Sequence, residues 1–137
     1  MNKRISARSI IIEDGNVYTM FRRRLKEEGT FKEYYVIPGG GIENNEELTE
    51  CALREIKEEL SVDIKIIGYL GKIENEETIA HFFHSEIISG IPTLGGEELE
   101  KCSKNNYYEI KLIPIKDINN LDIMAKDMIL KAYNKIK

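Results

Sequence analysis

The residues best suited to do chemistry lie between Gly39 and Val62. Gly39-Gly40-Gly41 follows Pro38, Glu46 comes five intervening residues after Gly40, and Arg54-Glu55-Ile56-Lys57-Glu58-Glu59 comes seven after that. On a helix, Glu55 sits three residues before Glu58 and four before Glu59, offsets that put all three carboxylates on one side, within reach of a common point. Clustered anions are costly unless a cation neutralises them, and hard carboxylate oxygens suit Mg²⁺ or Mn²⁺. Mg²⁺ keeps several of its waters, so such a site can bind a phosphate and present a nucleophilic water together. Successive glycines let the backbone approach a ligand closely. Gly39 and Gly40 are therefore candidate substrate-binding positions, and a free carbonyl in the glycine run can join the metal shell with Glu55, Glu58 and Glu59. Arg54, next to Glu55, can orient a carboxylate through a charge-assisted hydrogen bond. A Glu/Lys-rich helix face is more commonly plain solvated surface; the glycine turn directly before this one sets it apart.

The elements that must position these groups are readable in outline. Ala7 to Glu13 is a β-branched run, Asp14-Gly15-Asn16 a turn, and Val17 to Arg24 a second strand, which together make a hairpin. A polar stretch, Leu25 to Lys32, leads to a third strand at Glu33 to Ile37, and Pro38 with its three glycines should end regular structure there. From about Glu47 to Leu60 the period becomes helical, with Leu48, Ala52 and Ile56 recurring every four residues, Cys51, Leu53 and Leu60 beside them, and Asn44 or Asn45 as the cap. Extended segments follow at Val62 to Ile73 and Thr78 to Ser89. Gly90 to Lys104 is an acid-rich loop, Tyr107 to Ile115 a strand, and Asp122 to Ile136 an amphipathic helix with Ala125, Ile129, Ala132, Tyr133 and Ile136 on one face. Many strands with one central and one terminal helix give an α/β fold, a mixed sheet flanked by helices.

Bulk properties narrow the partners. At 137 residues the chain fits a single domain spanning 1–137, long enough for a sizeable core. A formal charge of -4 lacks the basic footprint of a non-specific nucleic-acid binder, yet allows a nucleotide ligand, because a metal site reverses the local field. The start, Met1-Asn2-Lys3-Arg4, has no apolar leader segment, no apolar run reaches membrane-spanning length, and two distant cysteines, Cys51 and Cys102, make no disulfide framework. These features lead us to expect a cytoplasmic protein with no membrane partner; a homodimer stays open.

The spacing Gly40, Glu46, Arg54-Glu55-Ile56-Lys57-Glu58-Glu59, with Tyr35-Val36-Ile37-Pro38-Gly39 before it, resembles the Nudix box of the Nudix hydrolases. The box covers residues 40–62, and the element order around it fits the whole domain. Ser61 stands where the box normally has Gly, and Asn45 where a glycine often precedes the first Glu; neither change removes a charged group. The resemblance implies an α/β/α sandwich with a mixed β-sheet. It also implies a metal-dependent hydrolase that cleaves the pyrophosphate bond of a nucleoside diphosphate linked to another moiety. By position, Glu55, Glu58, Glu59 and the Gly40 carbonyl are the implied metal ligands for Mg²⁺ or Mn²⁺, Arg54 holds a glutamate, and Glu46 braces the loop. Glu55 is one candidate general base; a carboxylate of the later loop, among Glu97, Glu98 and Glu100, is the other, with Glu98 preferred.

Other residues carry weaker signals. Among Arg22, Arg23 and Arg24, one can meet a substrate phosphate, and Arg23, which faces opposite to its neighbours on a strand, is the chosen candidate. His81 and His84, three apart in a strand, face opposite ways and are read as structural. Tyr107 and Tyr108 can stack on a base or simply pack in the sheet. The rival function is a non-catalytic Nudix-like module that binds a nucleotide and regulates something else; the intact Arg54-Glu55 and Glu58-Glu59 pairs argue for the enzyme. The substrate is not legible: nucleotide sugars, ADP-ribose, dinucleotide polyphosphates and oxidised nucleoside triphosphates all stay open.

Overall fold

A computed structural model of the chain describes residues 2–96, 99, 102–103 and 105–136. Strand β1 (Arg4–Glu13) and strand β2 (Asn16–Leu25) form the expected hairpin, with Asp14 and Gly15 at positive φ of 52° and 77° in the turn, as tight hairpins require. The pair is hydrogen-bonded only beside the turn, at Ile12↔Val17 and Glu13↔Asn16. Further along, β1 and β2 belong to different sheets. Strands β3 (Phe31–Val36) and β7 (Asn106–Pro114) flank β2 in antiparallel pairing. Strand β6 (Thr78–Ser89) runs parallel to β1 from Arg4↔Thr78 to Ile11↔Ser85, and β5 (Asp63–Glu74) closes that side antiparallel to β6.

The glycine run departs from expectation. Gly39–Gly41 is itself a short strand, β4, antiparallel to β1 at Ser6↔Gly41, Ala7↔Gly40 and Arg8↔Gly39. Pro38 does interrupt the chain, but the free edge of β1 offers these residues a ladder, and their lack of side chains lets them take it.

Helix α1 (Leu48–Leu60) covers one face of the sheets and helix α2 (Lys126–Ile136) the other, giving the α/β/α sandwich. Ile56 and Leu60 of α1 pack with Ile11, Tyr18 and Met20, and Cys51 and Ala52 pack with Ala7 and Phe83. Ile129 and Ala132 of α2 pack with Ile10, Ile37, Leu70 and Phe82. Alternation along β1 thus feeds both cores, Ile10 to one and Ile11 to the other. Burying a side chain such as Ile56 stabilises by about 1.5–3 kcal/mol, whereas Leu53, expected beside that stripe, is 43% exposed and adds little.

Both helix starts differ from the sequence reading. The cap of α1 is Glu47, whose amide donates to Glu50 Oε1 at 3.0 Å; Asn45 instead takes a left-handed φ of 58° in the turn before it. Helix α2 begins at Lys126 because residues 122–124 are engaged with β3. Tyr35 N donates to Asp122 O, Met124 N donates to Tyr35 O, and Ile123 bridges Tyr35. Ile136 is 53% exposed rather than on the buried stripe. A 3₁₀ turn at Ile115–Asn120, not foreseen, links β7 to this segment.

Candidate active site

Between α1, β4 and the ends of β1 and β2 lies a cleft of about 670 Å³. One wall is acidic, formed by Glu55, Glu58 and Glu59 of α1 with Glu43. A second wall is cationic, formed by Lys3 just before β1, Arg4 and Arg8 of β1 and Arg22 of β2. Met20, Val36, Ile5 and Ile42 add apolar lining, and Gly39–Gly41 runs along the edge.

The acidic wall is organised by two devices. The first is Arg54. Its Nε and Nη2 donate to the two carboxylate oxygens of Glu46 at 2.7 and 2.9 Å. Its Nη1 donates to Glu55 Oε1 at 2.9 Å and Glu58 Oε2 at 3.1 Å, and Nη2 also reaches Gly41 O at 3.1 Å. A planar fork with several donors can bridge this many acceptors where a lysine cannot. Hydrogen bonding by Arg54, helped by the Glu43 amide, holds the Glu46 carboxyl down at about 2, and the same carboxylates push the Arg54 guanidinium above its ordinary value. Glu46 is thus the brace the sequence suggested: it ties the loop after β4 to α1.

The second device is the glycine strand. Gly39 N donates to Glu59 Oε2 at 2.9 Å, although Glu59 is only 7% exposed. The Glu55 carboxylate lies so close to Gly40 that a Cβ there would collide with it. Gly40 O in turn accepts from the buried Cys51 thiol at 3.4 Å. Burial pushes that thiol up to about 11, so it stays protonated and donates.

The three carboxylates share the cleft, but they do not close into a cage. Among the described residues no three acidic, His or Cys side chains are grouped tightly enough to enclose a metal, and Arg54 spans Glu55 and Glu58. The donor set still fits a hard divalent cation, since Glu55, Glu58, Glu59 and the Gly40 carbonyl offer only oxygens, and Mg²⁺ is ordinarily held by few protein ligands with water completing the shell.

Arg23 is not on the cleft. It lies on the other face of β2, its guanidinium 5.2 Å from the Phe31 ring centroid and 5.5 Å from that of Tyr107. The arginine of β2 that lines the cleft is Arg22. Strand alternation separates the two, and which face meets the cleft depends on where α1 packs. Arg8 was missed altogether, although a lone cation inside the β-branched run was a usable signal. Arg8 Nη1 donates to Ile37 O at 2.8 Å. Burial lowers its pKa, while Glu59 and Glu55 oppose that shift.

Glu97, Glu98 and Glu100 lie outside the described residues. The segment leading to them is docked on the end of α1. Thr93 N donates to Leu60 O at 2.8 Å and Gly95 N to Glu59 O at 3.0 Å, and any side chain on Gly95 would strike Glu58 O, 2.7 Å from its Cβ position. Ser61 caps the helix at φ 60°, a left-handed conformation, and its Oγ donates to Thr93 O at 3.1 Å. Of the remaining candidates, His81 Nδ1 pairs with Tyr69 Oη at 2.8 Å, His84 is buried, and Tyr107 and Tyr108 pack on opposite faces of the sheet against Arg23 and Arg22.

A model of the NUDIX domain matches residues 3–128. An ADP-ribose pyrophosphatase of Methanocaldococcus jannaschii is 30% identical over 129 residues, 93% of this chain and 71% of that protein. Two solved structures share the fold: a MutT NUDIX hydrolase from Burkholderia pseudomallei, with TM-score 0.71, 18% identity and coverage of 97% of this chain and 98% of that one, and a NUDIX-family hydrolase from Clostridium perfringens, with TM-score 0.72, 18% identity and both chains covered in full. Fold and relatives define the class, a hydrolase that cleaves a pyrophosphate bond. The chain belongs to the NUDIX family, whose members generally need a divalent metal. Among the described residues no helix is long and apolar enough to cross a membrane.

Proposed function

We propose that this protein hydrolyses a small nucleoside diphosphate derivative with Mg²⁺ or Mn²⁺, residues 1–137 acting as one cytoplasmic domain. The observation that carries the reading is the seating of two helix carboxylates on the glycine strand: Glu59 on the Gly39 amide and Glu55 against Gly40. That contact fixes acidic groups at the edge of a cleft that Arg4, Arg8 and Arg22 also line, an arrangement suited to a polyanion bound through a metal and guanidinium groups together. Glu55, Glu58, Glu59 and the Gly40 carbonyl hold the cation. When bound there, the metal supplies positive charge to the phosphates and makes its water a stronger acid. Arg54 keeps Glu55 and Glu58 oriented, Gly39 and Gly40 leave room for the substrate, and either Glu55 or Glu98 takes the proton of the attacking water.

ADP-ribose is the first substrate to try, given the name of the archaeal relative. The test is product release from ADP-ribose, nucleotide sugars, dinucleotide polyphosphates and oxidised nucleoside triphosphates, each with Mg²⁺, Mn²⁺ or excess EDTA. Turnover that stops in EDTA and returns with Mg²⁺ is the expected result. Undiminished turnover in EDTA refutes the metal role, and tight binding without turnover across the panel points to the regulatory module instead.

A further inference from the structure

A second cavity, of about 490 Å³, lies where the β1–β2 turn, the end of β7 with its 3₁₀ turn, and helix α2 meet. It shares no lining residue with the cleft. Asp14 at its rim and Arg8 in the cleft are about 20 Å apart along an extended strand. A volume of this size holds a small molecule.

The frame of the cavity is fixed by the fold. Gly15 O accepts from Ile115 N at 3.0 Å, which joins the hairpin turn to the 3₁₀ segment. Asn16 pairs with Pro114 in the β2–β7 ladder, and its Nδ2 donates to Glu13 O and Asp14 O at 3.2 and 3.1 Å. Ile115 and Ile118 are buried in the same core cluster as Ile129 and Ala132 of α2, so the floor is apolar and rigid. Pre-organisation of this kind lowers the cost of binding.

The lining is chemically unlike that of the cleft. Above the floor, Asn119 of the 3₁₀ turn and Asn134 of α2 bring carboxamides, Tyr133 brings an aromatic ring, and Asp14 and Lys116 bring one charge of each sign. The side chains of Asp14, Lys116, Asn119 and Asn134 have no hydrogen-bond or ion-pair partner among the described residues. A carboxamide both donates and accepts, so two of them suit a ring whose edge mixes donors and acceptors, as a nucleobase does; asparagine pairs with adenine in this way. An aromatic side chain beside an apolar floor suits the face of such a ring, and a carboxylate at the rim suits ribose hydroxyls. A single cation offset by a single anion makes a poor seat for a polyanion, and a polar rim a poor one for an acyl chain.

We propose that this cavity is a second ligand site, for a nucleoside. The base lies on Ile115 and Ile118 beside Tyr133, Asn119 and Asn134 read its edge, the ribose hydroxyls meet Asp14, and a phosphate on the ribose meets Lys116. The site needs no metal and stands apart from whatever reaction the cleft performs.

The experiment is titration of the isotope-labelled full chain in EDTA with adenosine and with AMP, followed by the shifts of backbone amide resonances. Gly15, Ile115, Lys116 and Asn134 report on the cavity, and Gly39, Gly40 and Gly41 on the cleft. We expect saturable shifts of the cavity amides with both ligands and a Kd below about 1 mM. Asn119→Ala and Asn134→Ala should each weaken binding about fivefold or more. Lys116→Gln should weaken AMP by about threefold and leave adenosine within about twofold. Asp127→Asn, on α2 but outside the cavity, should leave both within about twofold. Circular dichroism checks folding, and Asn119→Ala decides the matter if Asn134→Ala unfolds the end of α2. Shifts in both groups of amides uphold the site when those of the cavity alone respond to the asparagine variants. Cavity amides that stay still up to about 1 mM of either ligand, shifts confined to the glycines, or unchanged affinity in the folded asparagine variants overturn it.

Discussion

The two walls of the cleft are built on different plans. The acidic wall comes from one stretch of helix, with Glu55, Glu58 and Glu59 spaced by its turns and a single guanidinium, Arg54, joining Glu43, Glu46, Glu55 and Glu58. The cationic wall is assembled from separate strands: Arg8 is steadied by a carbonyl of the chain leading into β4 and Arg22 by tyrosines of β3 and β7. On the helix, charges of like sign are kept together by an opposite charge among them. On the strands, they are kept apart by hydrogen bonds and rings. The spacing of the helix carboxylates needs only the helix, with the loop and β4 fixing their rotamers, whereas the other wall needs four strands in register.

The contrast can be tested first where the effect is largest. Glu58→Gln and Glu59→Gln keep side-chain shape and helix propensity but remove the anion. Each should lower kcat roughly a hundredfold or more at saturating Mg²⁺, about 3 kcal/mol of barrier, with the circular dichroism spectrum unchanged. Wild-type rates in the folded variants would reduce the acidic wall to solvated surface.

A smaller effect separates neighbouring glycines. Gly40→Ala puts a methyl into the Glu55 carboxylate, whereas at Gly41 the nearest atom to a Cβ is Arg4 Nε at 3.4 Å. Steady-state kinetics should show kcat reduced about tenfold for Gly40→Ala and by less than about twofold for Gly41→Ala. Equal losses would mean that the strand, rather than its contact with Glu55, is what matters.

The smallest effect at neutral pH concerns Glu46, which braces the wall without facing the cleft. Its carboxyl lies at about 2 in the folded protein against an ordinary 4.5. A depressed pKa adds stability above the ordinary value, and that contribution is lost as pH falls through the folded one. The difference in Tm between wild type and Glu46→Gln should therefore be full above pH 4.5 and shrink towards pH 2, while kcat at neutral pH changes by no more than about threefold. A Tm difference independent of pH would remove the charge from the brace.

The same contrast explains what could be read in advance. Helix periodicity and fixed offsets made Glu55, Glu58, Glu59 and Arg54 legible, because residues close in sequence are close on a helix. The strands and their order of appearance followed from β-branched runs and turns. Arg22 and Arg23 could not be distinguished, since alternation says only that they point opposite ways and the cleft side depends on where α1 packs. β4 was hidden because glycines carry no strand propensity; only the unpaired edge of β1 made it a strand. The late start of α2 depended on pairing between Ile123 and Tyr35, a contact between distant residues that no local pattern announces.

The docking of residues 93–95 on the end of α1 has a consequence for time rather than for shape. The carbonyls of Glu59 and Leu60 are capped by Gly95 and Thr93, whose amides belong to a segment some thirty residues downstream. That segment cannot swing away without uncapping the final turn of the helix, so the two share one opening event. Loop opening and fraying of the last turn, which carries Glu58 and Glu59, run on a single clock, and hydrogen exchange at the Thr93 and Gly95 amides reads its rate.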